Sequence, residues 1–193
     1  LTMKSKDHIF GKHYHNIKNK FLNVIKDKIG EENLEEIINS YKITTLIQQI
    51  DFKDNYKQKI LNIIKKHQIF KKEITNPFNP FIKIYSIDVD NIIIKESATK
   101  PIIIPFKSYN KDVKILLKNE DIRKDQIIVD IIKLMDIILK REENLDLDIR
   151  TYNVIPLDNN SGIIEIVQNS KTLYEIKHKM NMTLLNYILE NNK

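Results

Sequence analysis

Cysteine and tryptophan are both missing from this chain, and glycine occurs only at Gly11, Gly30 and Gly162. Without cysteine there is no disulfide and no thiolate metal site, which fits a reducing compartment. With so little glycine, neither a Walker A loop nor a dinucleotide-binding glycine fingerprint can be built, because both need several glycines at fixed spacing. No apolar run approaches the roughly 18 residues that span a bilayer, and the first residues lack a signal-peptide core. These absences predict a soluble intracellular protein.

What is present is a 193-residue chain, 41% hydrophobic and 30% charged, rich in Ile, Asn and Lys. That places it in the globular class, with room for one domain or one domain and part of another. A formal net charge of +6 suits an anionic partner, such as nucleic acid, a phosphorylated ligand or an acidic membrane surface. The lysines are dispersed, however, and a solvated basic surface is the simpler reading. A nucleic-acid binder would interleave aromatic side chains with clustered basic ones on one face. The eight tyrosines and seven phenylalanines show no such pattern, so no nucleic-acid partner is expected. The opening Leu1-Thr2-Met3 reads as a fragment rather than a natural start.

Helical periodicity runs from Asn16 to about Lys72. Phe21, Leu22, Val24, Ile25 and Ile29 form one stretch, Leu34, Ile37, Ile38, Leu46, Ile47 and Ile50 the next, with Gly30 between them. A third stretch holds Tyr56, Ile60, Ile63, Ile64 and Ile69. Pro77 and Pro80 in NPFNPF end helical behaviour, which sets a boundary near Asn76 between a helical segment, residues 1–76, and a second unit, residues 77–193. Beyond it, β-branched runs alternate with polar turns: Ile82 to Ile87, Ile92 to Lys95, Pro101 to Phe106 and Val113 to Lys118. Four such runs suggest an antiparallel sheet. From Arg123 to Arg141 apolar residues cover a broad helical face, which must pack against something, and the sheet is the nearest candidate. Strand-like runs from Tyr152 to Pro156 and Ile163 to Val167 flank a DNNSG turn, and Leu173 to Glu190 is predicted helical. The fold class is therefore α+β.

His13 and His15, with His8 nearby, have no Asp or Cys cluster beside them and read as a solvated segment rather than a metal site. More informative is Lys118, at the end of a predicted buried strand and followed by NEDIRKDQ. Burying an ammonium without a partner is costly, and Asp125, at the start of the following helix, is placed to supply the carboxylate. Two readings stand: a lysine held against phosphates with an acidic residue fixing it, or a snorkelling surface side chain.

The stretch LLKNEDIRKDQ resembles the F-K-x-G-D-D-L-R-Q-D motif of the phosphatidylinositol kinases, with Lys118 and Asp125 at the positions of the ATP-contacting lysine and its aspartate partner. The following IIVDIIKLMDIILKREENLDLDIRTYNV is similar to the helix, E-N-L-D-L segment and Y-x-V strand of the class III, vacuolar-sorting phosphatidylinositol 3-kinases. SGIIEIVQNSKTLYEI looks like that family's strand and hinge, and ESATKPIIIPF resembles its phosphate-covering loop. The likeness covers roughly residues 77 to 177. The segment after Lys118 is one residue shorter than the family's, lacks its glycine and carries Lys124 for glutamine. Glu165-Ile166 stands where the related giant protein kinases carry glutamate-tryptophan.

The resemblance implies a kinase-like small lobe, a twisted antiparallel sheet with one long packed helix, preceded by helices. It implies ATP as cofactor, bound by main-chain groups of Glu165 and Val167 at adenine, by Ile103, Tyr152 and Ile164 lining the pocket, by Lys118 and Asp125, and by Ser97 near the terminal phosphate. The function implied is transfer of the γ-phosphate of ATP to the 3-hydroxyl of phosphatidylinositol. The alternatives are a phosphatidylinositol 4-kinase, a related giant protein kinase, or a non-catalytic remnant that binds nucleotide or a partner. The family's Asp-Arg-His and Asp-Phe-Gly motifs, the latter a Mg²⁺ ligand, do not occur in this sequence, so the chain alone is expected to be inactive. The family also implies a protein-kinase-like regulatory subunit, a role in autophagy, and a cytoplasmic protein peripheral to endosomal or vacuolar membranes.

Overall fold

The computed structural model describes residues 11–48, 50, 54–109 and 111–192. The first elements are helices α1 (Gly11–Ile29), α2 (Glu31–Gln48) and α3 (Tyr56–His67). Gly30, at φ +83, is the left-handed residue that closes α1: its N–H reaches the Lys26 carbonyl at 2.8 Å. Helix α3 ends at His67 with Gln68 in the left-handed region (φ 49). The helical run therefore stops well before the two prolines.

Seven antiparallel strands follow among the described residues: β1 (Ile74–Asn76), β2 (Asn79–Ile87), β3 (Ile93–Ile94), β4 (Ile102–Ser108), β5 (Val113–Lys118), β6 (Val154–Asp158) and β7 (Ser161–Glu165). Their order is β1-β2-β4-β5-β7-β6, with β3 also paired to β4. The NPFNPF segment is the β1–β2 turn, in which Asn76 Oδ1 accepts from Phe78 N and Asn79 Oδ1 from Phe81 N, both at 3.0 Å. Pro80 lies inside β2, so these prolines organise a hairpin rather than terminate a helix.

Alternation along the strands gives the sheet two faces. Val113, Ile115 and Leu117 of β5 join Ile102, Ile104 and Phe106 of β4 in the main core. Ile43, Ile47 and Ile60 from α2 and α3 belong to the same cluster. The change from helix to strand thus falls at Ile74, inside one continuous core and ahead of the boundary predicted near Asn76. The Lys83–Glu36 ion pair also ties β2 to α2.

Helix α4 (Arg123–Glu142) lies against the other face, next to β6. Its contact is narrow. Val129 is its buried residue, while Ile127, Ile131, Leu134 and Ile138, spaced along one stripe, are about half exposed. The predicted C-terminal helix is broken by Asn181 (φ 51) into a π-helical turn, Glu175–Lys179, and α5 (Leu184–Asn191), which Thr183 Oγ1 caps by accepting from Asn186 N at 3.2 Å. The whole is α+β: a kinase-like small lobe behind a helical segment.

Candidate nucleotide site

Register brings the site together on the α4 side of the sheet. Ile93 pairs with Ile103, Ile103 with Leu116, Leu116 with Ile164, and Ile164 with Val154, one apolar row across five strands. Two residues further along β5, on the same face, stands Lys118, paired across the ladder with Gly162. At the other end of the row a cleft of about 630 Å³ opens, walled by Ile93, Ile103, Leu116 and Val167 and rimmed by Lys95, Lys111 and Lys114. The same lining carries two carboxylates, Asp112 and Glu175, and Lys118 lies outside it.

Lys118 is three-quarters buried, and its Nζ meets two carboxylates, Glu120 Oε1 at 2.8 Å and Asp125 Oδ2 at 3.4 Å. Partial burial works against its charge, but the hydrogen bond it donates to Glu120 and the attraction of both carboxylates outweigh it, holding the ammonium above the usual lysine range. It is therefore cationic at neutral pH. Asp125 is delivered by the first turn of α4, whose start is fixed by Ile122, fully buried against Gly162. The intervening loop is organised by Asp121, which accepts from Arg123 N (3.1 Å), Nε (2.9 Å) and a guanidinium NH₂ (2.6 Å). The one-residue shortening thus leaves Lys118 and Asp125 in contact.

At the hinge, Glu165 N donates to Asn153 O at 2.9 Å, and Glu165 Oε2 accepts from Asn153 N (3.1 Å) and Nδ2 (2.6 Å). Lys133 of α4 donates to Asn153 Oδ1 at 3.0 Å, so one asparagine links helix, strand and hinge. Val167 borders the cleft, its carbonyl accepts from Ser170 Oγ at 2.6 Å, and its N–H has no partner among the described residues. That leaves a main-chain donor at the cleft.

The other anticipated positions divide. Ile103 lines the cleft. Ser97 is exposed in the β3–β4 turn, which is closed by Lys95 N to Pro101 O (2.8 Å) and Lys100 N to Ser97 O (3.1 Å). Ile164 is buried with Ile122, Val129 and Val154 beneath α4, behind the cleft rather than in its wall. Tyr152 precedes β6, is 37% exposed and does not line the cleft. Sequence reasoning missed Glu120, Leu116 and Lys114. The period-2 pattern Lys114, Leu116, Lys118 was the available signal for the last two, since alternate residues share a face. His13 and His15 are exposed on α1, His15 sharing a hydrogen bond with Asn19, and His8 lies outside the described residues. No group of three or more His, Cys, Asp or Glu able to hold a metal exists among the described residues.

The family model for phosphatidylinositol 3- and 4-kinases matches residues 112–191, from β5 through α5. The phosphatidylinositol 3-kinase age-1 of Caenorhabditis briggsae is 27% identical over 165 residues, covering 78% of this chain and 14% of that protein. The phosphatidylinositol 3-kinase VPS34 of Candida glabrata is 25% identical over 174 residues, 83% of this chain and 19% of its own length. The serine/threonine-protein kinase TEL1 of Eremothecium gossypii is 41% identical over a shorter stretch of 99 residues, 48% of this chain and 4% of that protein. The chain spans less than a fifth of the length of each of these relatives.

Proposed function

We propose that this chain, which belongs to the phosphatidylinositol 3- and 4-kinase family, forms the ATP-binding small lobe of a lipid kinase that phosphorylates the 3-hydroxyl of phosphatidylinositol. The observation that carries this reading is Lys118, held charged between Glu120 and Asp125 on the sheet face that ends in the apolar cleft. An ammonium fixed in place before phosphate arrives costs no reorganisation when charge develops on the transferring group. The residues present suit adenine and phosphates: Ile103, Leu116 and Val167 offer apolar walls, Val167 N–H and the Glu165 carbonyl main-chain bonds, and Lys118 the cation.

ATP supplies the transferable phosphoryl group when bound. What this chain contributes is position: the hinge sets the base, Lys118 holds phosphate oxygens, and Asp125 and Glu120 hold Lys118. Among the described residues no group of three or more His, Cys, Asp or Glu stands together to hold a metal ion by protein ligands alone. Base and metal ligands belong to motifs this sequence does not contain, which is why the chain alone is proposed to be inactive.

The class III, vacuolar-sorting assignment is supported by the ENLDL and NSKTLYEI segments and by the VPS34 relative. A peripheral association with endosomal or vacuolar membranes and a regulatory subunit follow from the same assignment. No helix among the described residues is long and apolar enough to cross a membrane. The 41% identity to a serine/threonine-protein kinase over 48% of this chain gives weaker support to a second reading, protein phosphorylation, against which Glu165-Ile166 stands in place of that group's glutamate-tryptophan.

One experiment separates these. The gene product containing this chain is incubated with γ-labelled ATP and either phosphatidylinositol vesicles or protein substrates. Label at the 3-position of the lipid, abolished by Lys118→Ala without change in the circular dichroism spectrum, is the expected result. Normal lipid phosphorylation by that variant overturns the role of Lys118, and label on protein alone selects the second reading.

A further inference from the structure

Helix α1, which packs against α2, leaves one line of apolar side chains uncovered. Leu22 and Ile25 are half-buried, but Ile17, Phe21 and Val24, spaced i, i+4, i+7 along one face, stay 43%, 58% and 53% exposed. Lys28 continues that line, and Lys18 and Lys20 border it, one on each side. The helix carries five lysines against a single carboxylate, Asp27. Lys26 pairs with Glu31 at 2.9 Å, whereas Lys18, Lys20 and Lys28 have no ion-pair partner among the described residues. The carboxylates of α2 are engaged elsewhere, Glu32 by Lys72 and Glu36 by Lys83. The half-exposed stripe of α4 lacks this bias, since its Lys133 and Lys140 meet Asp130 and Asp136.

We infer that α1 lies on an anionic lipid surface, with Ile17, Phe21 and Val24 entering the boundary of the acyl chains and Lys18, Lys20 and Lys28 meeting the acidic headgroups. An apolar line with a basic border is the composition of a helix that sits in the plane of a bilayer surface. Charge selects the occupant, because cations left unmatched within the chain are complemented by anions outside it. Shape selects a lipid surface over an acidic protein. Three side chains on one convex helix make a line rather than a groove, and a fluid interface closes around a line without needing a matching seat. The inference rests on α1 alone and does not depend on which substrate the nucleotide site serves.

The chain has no tryptophan, so Phe21→Trp supplies a single reporter in the middle of the stripe. This variant is mixed with vesicles of phosphatidylcholine alone or of phosphatidylcholine and phosphatidylserine. Neither contains phosphatidylinositol, which keeps the result separate from the lipid kinase reading. On the phosphatidylserine vesicles the indole emission should shift to the blue, be quenched by brominated acyl chains and recover at high salt. Lys20→Ala and Lys28→Ala should each lower the affinity about fivefold, the effect of one cation near such a surface. Lys12→Ala removes the same charge from the opposite side of the helix and should cost distinctly less. Failure to bind the phosphatidylserine vesicles overturns the proposal, as does a bound chain whose indole is not quenched. An equal loss in Lys12→Ala reduces the attraction to net charge and overturns it too. A blue shift that needs only a higher chain concentration and no lipid places a second copy on the stripe and likewise overturns it.

Discussion

Gly162 stands across the ladder from Lys118, and a methyl group added to it would overlap Ile122 Cδ1 and lie 2.9 Å from the Ile155 carbonyl oxygen. Ile122 is fully buried, so its side chain has nowhere to retreat. Gly162→Ala should therefore destabilise the chain by about 1–3 kcal/mol, the usual cost of overpacking a closed core. Because the added methyl would meet Cδ1 and Cγ1 of Ile122 and only Cδ1 is removed by Ile122→Val, that substitution should recover part of the loss in a double-mutant cycle read by denaturant melts; strict additivity would show that the two residues do not collide. Electrostatics near the same loop has two opposite signs. Arg123 and its backbone amide hold Asp121 down to about 2, so its contribution to stability is present above the ordinary carboxylate value and is lost as pH falls through the folded one. Lys118 is raised, so its contribution is present below the ordinary lysine value and lost only as pH climbs above it. Side-chain ¹³C titrations check both: an Asp121 midpoint near 4, or a Lys118 midpoint below 10.5, contradicts the geometry. The Lys118–Asp125 pair was legible in the sequence because motif and charge both pointed to it. Glu120 was not, since a carboxylate in a loop gives no periodic signal.

Helix α4 shows what a hydrophobic pattern can and cannot say. Its apolar residues predict a buried face, yet Val129 alone reaches the closed core, against Ile122, Val154 and Ile164, and the neighbouring stripe stays half open. A pattern measures how much apolar surface a helix presents, while the geometry of its neighbours decides which part is covered. Val129→Ala should accordingly cost about 1–3 kcal/mol, combining lost burial with a cavity, whereas Ile128→Ser, at a position more than half exposed, should change stability by no more than about 0.5 kcal/mol. Equal losses for the two would mean that the helix packs on a different face. Strands β2, β4, β5 and β7 were legible because β-branched runs between polar turns admit little else. The hairpin at NPFNPF was not: proline signals the end of a helix strongly, but here two asparagine side chains turn the same residues into a strand connection.

At the scale of the whole molecule the helices and the sheet share one interior. Ile43 and Ile47 of α2 and Ile60 of α3 are buried to within 2% exposure in the cluster that contains Ile84, Ile104, Phe106 and Ile115 of the strands. Each such isoleucine contributes roughly 1.5–3 kcal/mol through burial, so removing all three costs an amount comparable with the net stability of an ordinary domain, about 5–15 kcal/mol. Cutting the chain at the composition change near Asn76 would remove them, remove β1 from the sheet edge, and expose the faces of β2 and β4 that they cover. Residues 77–193 alone should then lack a cooperative thermal transition, while the intact chain melts in one step seen alike by helix-sensitive far-ultraviolet circular dichroism and by amide exchange on β4 and β5. A sharp melt for residues 77–193 at the temperature of the intact chain would establish the sheet as an independent domain and reduce the helical segment to a covering. With the single transition, by contrast, whatever loosens α2 acts on β7, since Ile37 and Thr44 of α2 and Ile163 of β7 line the same space, and β7 carries both Gly162 beside Lys118 and Glu165 at the hinge.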